Sequence, residues 1–200
     1  TDRRYLGTTI ALTIAALSWG FVNFGLLLWI PGELIAEGHD MGVAAAILAR
    51  SSFIAVPVVA VAAVLYSRWS TKGSLLVMTA VTALGLCALL LRQMGVPAAS
   101  NPILALTLLI IGSTGVISIL LPYAAESYPL RIRGRATGWV AGCSKSGGLI
   151  CQALSVLALV PAIGAAALEI AVPLLFGLVL VALYGHETRG RDLRVLETAG

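Results

Sequence analysis

A six-span, all-α integral membrane bundle is the architecture that this 200-residue sequence predicts, on three observations. Hydrophobic residues make up 59% of the chain and charged ones only 11%, with a mean hydropathy of +0.98. Soluble domains run about 45–50% apolar and about 25% charged. The apolar residues gather into six runs, each holding the ~20 residues that cross a ~30 Å hydrocarbon core at 1.5 Å per residue. The basic residues collect between the runs, beside turn residues and mostly on alternate loops. Such runs must be helices, because backbone groups in lipid have to be paired within the segment; the ~10-residue alternating strands of a barrel do not occur in the pattern.

In chain order, the predicted spans are residues 6–30, 43–66, 74–94, 102–124, 136–159 and 162–184. The first is followed by the turn Gly38-His39-Asp40, and the second by Arg68-Trp69-Ser70-Thr71-Lys72-Gly73. Gly95-Val96-Pro97 breaks the chain after the third. The fourth stops at Tyr128-Pro129, inside the stretch Glu126-Ser127-Tyr128-Pro129-Leu130-Arg131-Ile132-Arg133-Gly134. Pro161 separates the fifth from the sixth, which runs into His186-Glu187-Thr188-Arg189-Gly190-Arg191. Each break has turn chemistry that a helix interior would not tolerate.

Orientation follows from the cations. One side of the membrane receives Arg3, Arg4, Arg68, Lys72, Arg131, Arg133, Arg135, Arg189, Arg191 and Arg194, and the other receives Arg92 with Glu33, Glu37 and Asp40. The positive-inside rule then places both termini in the cytoplasm of a multi-pass protein of the plasma (inner) membrane. The net charge of +4 is confined to short loops, so no nucleic-acid partner is expected. Cys87, Cys143 and Cys151 lie within apolar runs without CxxC spacing and are expected to be small buried hydrophobes, not metal ligands or disulfides. The first span is too long for a secretory signal and lacks a cleavage site. An opening at Thr1-Asp2-Arg3-Arg4 is expected of a cut within a longer chain, at the loop before a span.

Chemistry inside the membrane falls to three ionisable residues: Arg50, Lys145 and Glu169. Such charges are costly and normally face a polar cavity or a partner. Lys145 lies about ten residues past Arg135, hence ~15 Å deep, near the midplane. Arg50 and Glu169 each lie roughly 10 Å from the outer end of their spans, and this matched depth allows an Arg50–Glu169 pair. The alternative for Arg50 is snorkelling to the outer interface. Trp19 and Asn23, four residues apart, are expected on one helix face. Gly138, Gly142 and Ser146 recur every four residues and are expected to let helices approach closely.

Four places carry a family resemblance. Phe24-Gly25-Leu26-Leu27-Leu28-Trp29-Ile30-Pro31, followed by Leu34 and Gly38, resembles the end of helix 7 in the sugar, organic-acid and aromatic-acid porter branches of the major facilitator superfamily. The Arg68-to-Gly73 stretch resembles the loop motif that recurs after helix 8, with Ser67 where the family carries an acid. Glu126-to-Gly134 is similar to the loop after helix 10 and is the most specific match. Glu187-Thr188-Arg189-Gly190, with Leu193 and Glu197, resembles the sugar-porter sequence after helix 12, with His186 in place of the usual proline.

The resemblance implies that residues 1–200 are the C-terminal half, helices 7 to 12, of a twelve-helix fold, with a missing N-terminal six-helix half as partner. It implies a substrate cavity lined by helices 7 and 10, here offering Trp19, Asn23, Ser113, Thr114 and Ser118, joined by the cations Lys145 and Arg50. Trp19 and Asn23 together would suit a planar carboxylate. Alternating access requires contacts that hold in one state and break in the other. The expected gating groups are Glu126 latched to Arg131 and Arg133, with Arg68, Lys72, Glu187 and Arg189 in the neighbouring loops. The alternative for these arginines is a solvated orientation signal.

The expected activity is secondary transport of a small organic anion, coupled to a proton. A sugar or polyol porter is the alternative within transport. A non-transporting sensor or scaffold is the alternative from another class, and two mid-span cations argue against it. Without an ATP-binding loop, a nucleophile–base set or a metal-ligand cluster in the sequence, neither a cofactor nor enzyme chemistry is expected.

Overall fold

Residues 5–97 and 101–190 are described by the computed structural model, and every regular element among them is helical. Arg3, Arg4, Arg191, Leu193, Arg194 and Glu197 lie outside the described residues. The elements are α1 (Leu6–Phe21), a π-helical turn (Val22–Leu26), α2 (Leu27–Ala36), α3 (Met41–Ala55), α4 (Val58–Arg68), α5 (Thr71–Gln93), α6 (Pro102–Ser127), α7 (Leu130–Val156) and α8 (Ile163–Tyr184). α1 and α2 form one rod through the π turn, and α3 and α4 form another. Among the described residues, five rods are long and apolar enough to cross a membrane: Leu6–Ala36, Met41–Arg68, Thr71–Gln93, Pro102–Ser127 and Ile163–Tyr184. The protein is therefore a multi-pass membrane protein built from a helical bundle. α7 is as long, at 27 residues, but carries Arg131, Arg133, Arg135 and Lys145.

The ends of the helices have local causes. Ser70 caps α5, its hydroxyl accepting from the Gly73 N–H at 2.7 Å. Asn101 caps α6 in the same way through Ile103, with Pro102 next to it. Gly38 and Gly95 adopt φ of +92° and +73° just past α2 and α5. There the amides of His39 and Val96 reach back to the carbonyls of Leu34 and Leu91, closing Schellman turns that only glycine enters without strain. Pro57, lacking an N–H, separates α3 from α4. Pro129 caps α7, which therefore begins at Leu130, six residues before the predicted span. Arg131, Arg133 and Arg135 thus lie on the first two turns of a helix and not in a loop. Pro31 likewise lies inside α2 without ending it.

α6 is the spine of the bundle, packed on α5, α3, α4 and α7, while α1 packs on α7 and α8. Two stacked cores result. The one nearer the start of α1, called the inner end, gathers Leu12, Ala16, Leu120, Tyr123 and Tyr128; the other, toward the end called outer, gathers Leu26, Leu34, Leu86, Leu109 and Ala167.

α1 and α7 run parallel, and their pairing register changes little along the seam. The Trp139 indole N–H donates to Thr13 Oγ1 at 2.9 Å, and that of Trp29 donates to Ser155 Oγ at 2.8 Å, both across a separation of 126 residues. Between these points Gly20 and Gly147 meet so closely that a side chain on either would strike the other helix's backbone. The glycines that hold the seam are therefore not the predicted stripe. Gly138 and Gly142 have no neighbour in their side-chain direction, and Ser146 is exposed.

Candidate functional site

The π turn decides what stands beside the mid-depth lysine. A π turn is wider than an α turn, so residues five apart, not four, come into line across it. Phe24, not Asn23, therefore stacks edge-on against Trp19, with ring centroids 5.5 Å apart and planes at 86°. The Lys145 ammonium lies 4.7 Å from the Phe24 centroid and 5.5 Å from that of Trp19. A cation over two aromatic faces gains about 0.5–2 kcal/mol. Trp19 is itself fixed, because its indole N–H donates to the Ser113 carbonyl at 2.7 Å. Gln152 supports the π turn by donating to the Phe24 carbonyl at 2.6 Å. Lys145 is exposed and has no carboxylate partner among the described residues.

Of the residues expected to bind substrate, Lys145, Trp19 and Ser113 come together, Ser113 through its carbonyl. Asn23 is half-buried and makes no side-chain hydrogen bond among the described residues. The Ser118 hydroxyl turns back to the Thr114 carbonyl at 2.7 Å, and that of Ser113 to Ile110 at 3.4 Å. Arg50 and Glu169 are both exposed and do not pair, since α3 packs on α6 and α2 whereas α8 packs on α1 and α5. The two helices sit on different sides of the bundle, so a similar distance from the helix ends does not bring the two side chains together.

A second cluster closes the inner end. After α8 the chain crosses the helix ends as a strap, Gly185–Gly190. The Tyr123 hydroxyl donates to the His186 carbonyl at 2.7 Å, and Thr8 donates to that of Tyr184 at 3.0 Å. Glu187 caps the start of α5 from outside that helix. It accepts from the Ser70 hydroxyl, the Thr71 N–H at 2.9 Å, the Thr71 hydroxyl at 2.6 Å and the Arg189 N–H at 3.1 Å. Burial alone would raise its pKa, but the Ser70, Thr71 and Arg189 donors outweigh this and hold it at about 2. Lys72 donates to the Ala182 carbonyl at 2.7 Å, near the C-terminus of α8, where a cation is favoured. The Arg189 guanidinium donates to the Trp69 carbonyl at 2.8 Å.

Glu126 belongs to this cluster and not to an arginine latch. It accepts from the Tyr66 hydroxyl and from the Thr188 hydroxyl, both at 2.6 Å, and makes no ion pair with Arg131 or Arg133. The reason is the early start of α7, which carries the arginines away on helical turns. Arg131 lies toward α1, while Arg133 donates to the Tyr128 carbonyl at 3.3 Å and leaves one buried Nη2 without a partner. Arg68 is exposed and makes no hydrogen bond among the described residues.

No protein-family model matches the chain, and no curated protein matches it significantly.

Sequence reasoning missed Phe24, Gln152, Tyr66, Thr71 and Thr188. Thr71 and Thr188 carried a usable signal: hydroxyls beside a helix start and beside Glu187, a carboxylate able to satisfy the helix's free N–H groups. For Phe24 there was no such signal, since the π turn has no composition of its own.

Proposed function

We propose that this chain is the C-terminal six-helix half of a twelve-helix secondary transporter of the major facilitator type, moving a small organic anion in symport with a proton. The observation that carries the reading is the Lys145 ammonium, placed about halfway along α7, set on the Trp19–Phe24 corner and without a carboxylate partner among the described residues. A mid-membrane cation needs a polar surrounding or an anion. The exposed stripe of α7 provides that surrounding: Arg131, Arg135, Gly138, Gly142, Lys145 and Ser146 share one side of the helix. Lipid would not favour such a stripe, so the reading makes α7 the sixth span, turned toward a water-filled path. The aromatic corner suits a planar or aromatic carboxylate.

The orientation proposed is the one the cations imply, with both termini in the cytoplasm of the inner membrane. The strap ties α4, α5, α6 and α8 into one body, as rocking of one half against the other requires. Arg68 and the free Nη2 of Arg133 are left for the other half to engage when the inner side is closed. The proton-carrying carboxylate is expected in that other half.

Lys145→Gln in the full-length protein tests the anion assignment. A charge-assisted hydrogen bond to a buried carboxylate contributes roughly 1.5–3 kcal/mol, so uptake of a carboxylate should weaken about 10- to 150-fold while that of a neutral analogue is spared. Equal loss for both compounds would remove the anion from the assignment and favour a sugar or polyol. Normal uptake of both would leave Lys145 with no part in transport.

A further inference from the structure

Gly20 and Gly147 close the α1–α7 seam at mid-depth, and toward the start of α1 the seam holds a slot of about 990 Å³. Ile10 and Ile14 of α1 and Trp139 of α7 make its walls apolar and, at one place, aromatic. Neutral polar groups in the lining are matched to one another. Tyr128 shares a hydrogen bond with Thr9 at 2.9 Å, and the Trp139 indole donates to Thr13 at 2.9 Å. Arg131 and Arg135 also line the slot, one helical turn apart. Both are exposed, and neither has a carboxylate or hydrogen-bond partner among the described residues. The slot thus offers hydrocarbon, an indole and two unmatched positive charges. That set suits an aromatic carboxylate and not a sugar, whose hydroxyls need free neutral partners.

The same two arginines begin the stripe that leads to Lys145. Arg135, Gly138, Gly142 and Lys145 follow one another at spacings of three and four on α7, so they share a face. Neither glycine has a neighbour in its side-chain direction, so between the cations that face presents bare backbone with open space beside it. Ten residues separate Arg135 from Lys145, ~15 Å along the axis. One small carboxylate cannot reach across that distance, so the two ends of the stripe can hold separate anions. We propose that the slot is a second station for the transported anion, taking an aromatic carboxylate with its ring among Ile10, Ile14 and Trp139. Its carboxylate pairs with Arg131 and Arg135, since guanidinium matches carboxylate through paired hydrogen bonds. This is the station nearer the inner side, where an anion leaving Lys145 pauses and where one from that side can enter. The proposal rests on the reading of Lys145 as an anion site, and it adds a second bound anion per chain.

The test is equilibrium dialysis of the full-length protein in detergent against radiolabelled benzoate, with benzamide as the neutral control. The parent should bind two benzoates per chain. Lys145→Gln should weaken one of them and spare the other. Arg131→Gln or Arg135→Gln should each weaken the second about 5-fold, and the two together about 25-fold, with the Lys145 site spared. Ile10→Trp keeps both charges and fills the slot, so it should weaken the same site; it decides the matter if the double variant fails to fold. A single benzoate per chain, lost in Lys145→Gln, would overturn the second station and leave the reading of Lys145 intact; the other half of the protein would then fill the slot. Loss on changing the arginines but not on changing Lys145 would sustain the slot as an anion site and overturn the reading of Lys145 instead. Equal binding of benzamide in the slot, or no benzoate bound at all, would overturn the proposal.

Discussion

The inner and outer ends of this bundle are closed by different chemistry. At the inner end two carboxylates, Glu126 and Glu187, are surrounded by hydroxyl and amide donors from Tyr66, Ser70, Thr71, Thr188 and Arg189. At the outer end one ion pair, Arg92 with Glu37, joins α5 to the end of α2, and Gln93 reaches Glu33 at 3.4 Å. Neutral donors fixed in a helix start or a strap lose little freedom when they bond, whereas two long, partly exposed side chains lose much for a modest gain. The contrast teaches that the inner end of this bundle moves as one piece, while its outer end can come apart at low cost.

The largest effect should come from Glu187→Ala. It strips the acceptor from four donors, two of them on buried Thr71 and one at a helix cap, and should cost about 2–3 kcal/mol, read as a fall in the unfolding midpoint. A midpoint unchanged from the parent would leave the strap as loose as the outer end and erase the contrast.

The acid response sharpens the same point. Glu187 can accept from donors at both oxygens with full strength only as the carboxylate, and its pKa lies at about 2 against an ordinary 4.5. Its contribution is therefore complete above about pH 4.5 and is lost as pH falls through about 2. Labelling of a cysteine placed at position 188 should stay slow and constant from pH 8 to pH 5. A steep rise within that range would mean that the carboxylate is not held as described.

Arg92→Gln should cost no more than about 1 kcal/mol, and the parent's advantage should shrink in high salt as the pair is screened. A larger, salt-independent loss would make the outer end as firmly built as the inner. The smallest change is expected at the outer end of α7, where Ala158 adopts φ of +55° as the helix closes with Leu159 bonded back to Leu154. Ala158→Gly should raise stability by about 0.5–1 kcal/mol by removing that strain. A decrease would show that the side chain is needed there.

Much of the fold was legible because hydropathy reports membrane depth directly. The sixth span came within a residue of α8, and the fourth began where α6 begins. The start of α7 was misplaced because three arginines looked like a loop. Charge reports contact with water, not backbone shape, and the better marker was Pro129, which suits the start of a helix. The site was legible in part. Lys145 and Trp19 stand out in the sequence as a charge and an indole within apolar runs, and the structure sets them side by side. Glu126 was assigned to the wrong partners, since proximity in sequence to Arg131 and Arg133 is not proximity across a helix start. Its real partners lie 60 and 62 residues away, beyond any local pattern.

The π turn makes the first rod a ruler with one graduation too many. An α-helix advances about 100° per residue, so a single extra residue in Val22–Leu26 turns everything beyond it by that angle relative to everything before. Deleting one residue there would let the rod straighten into an unbroken α-helix. The half that carries Trp19 would keep its place, while α2 would swing about a quarter-turn, aiming Trp29 away from Ser155 and Glu37 away from Arg92. One residue thus sets the phase between the middle of the membrane and its outer surface.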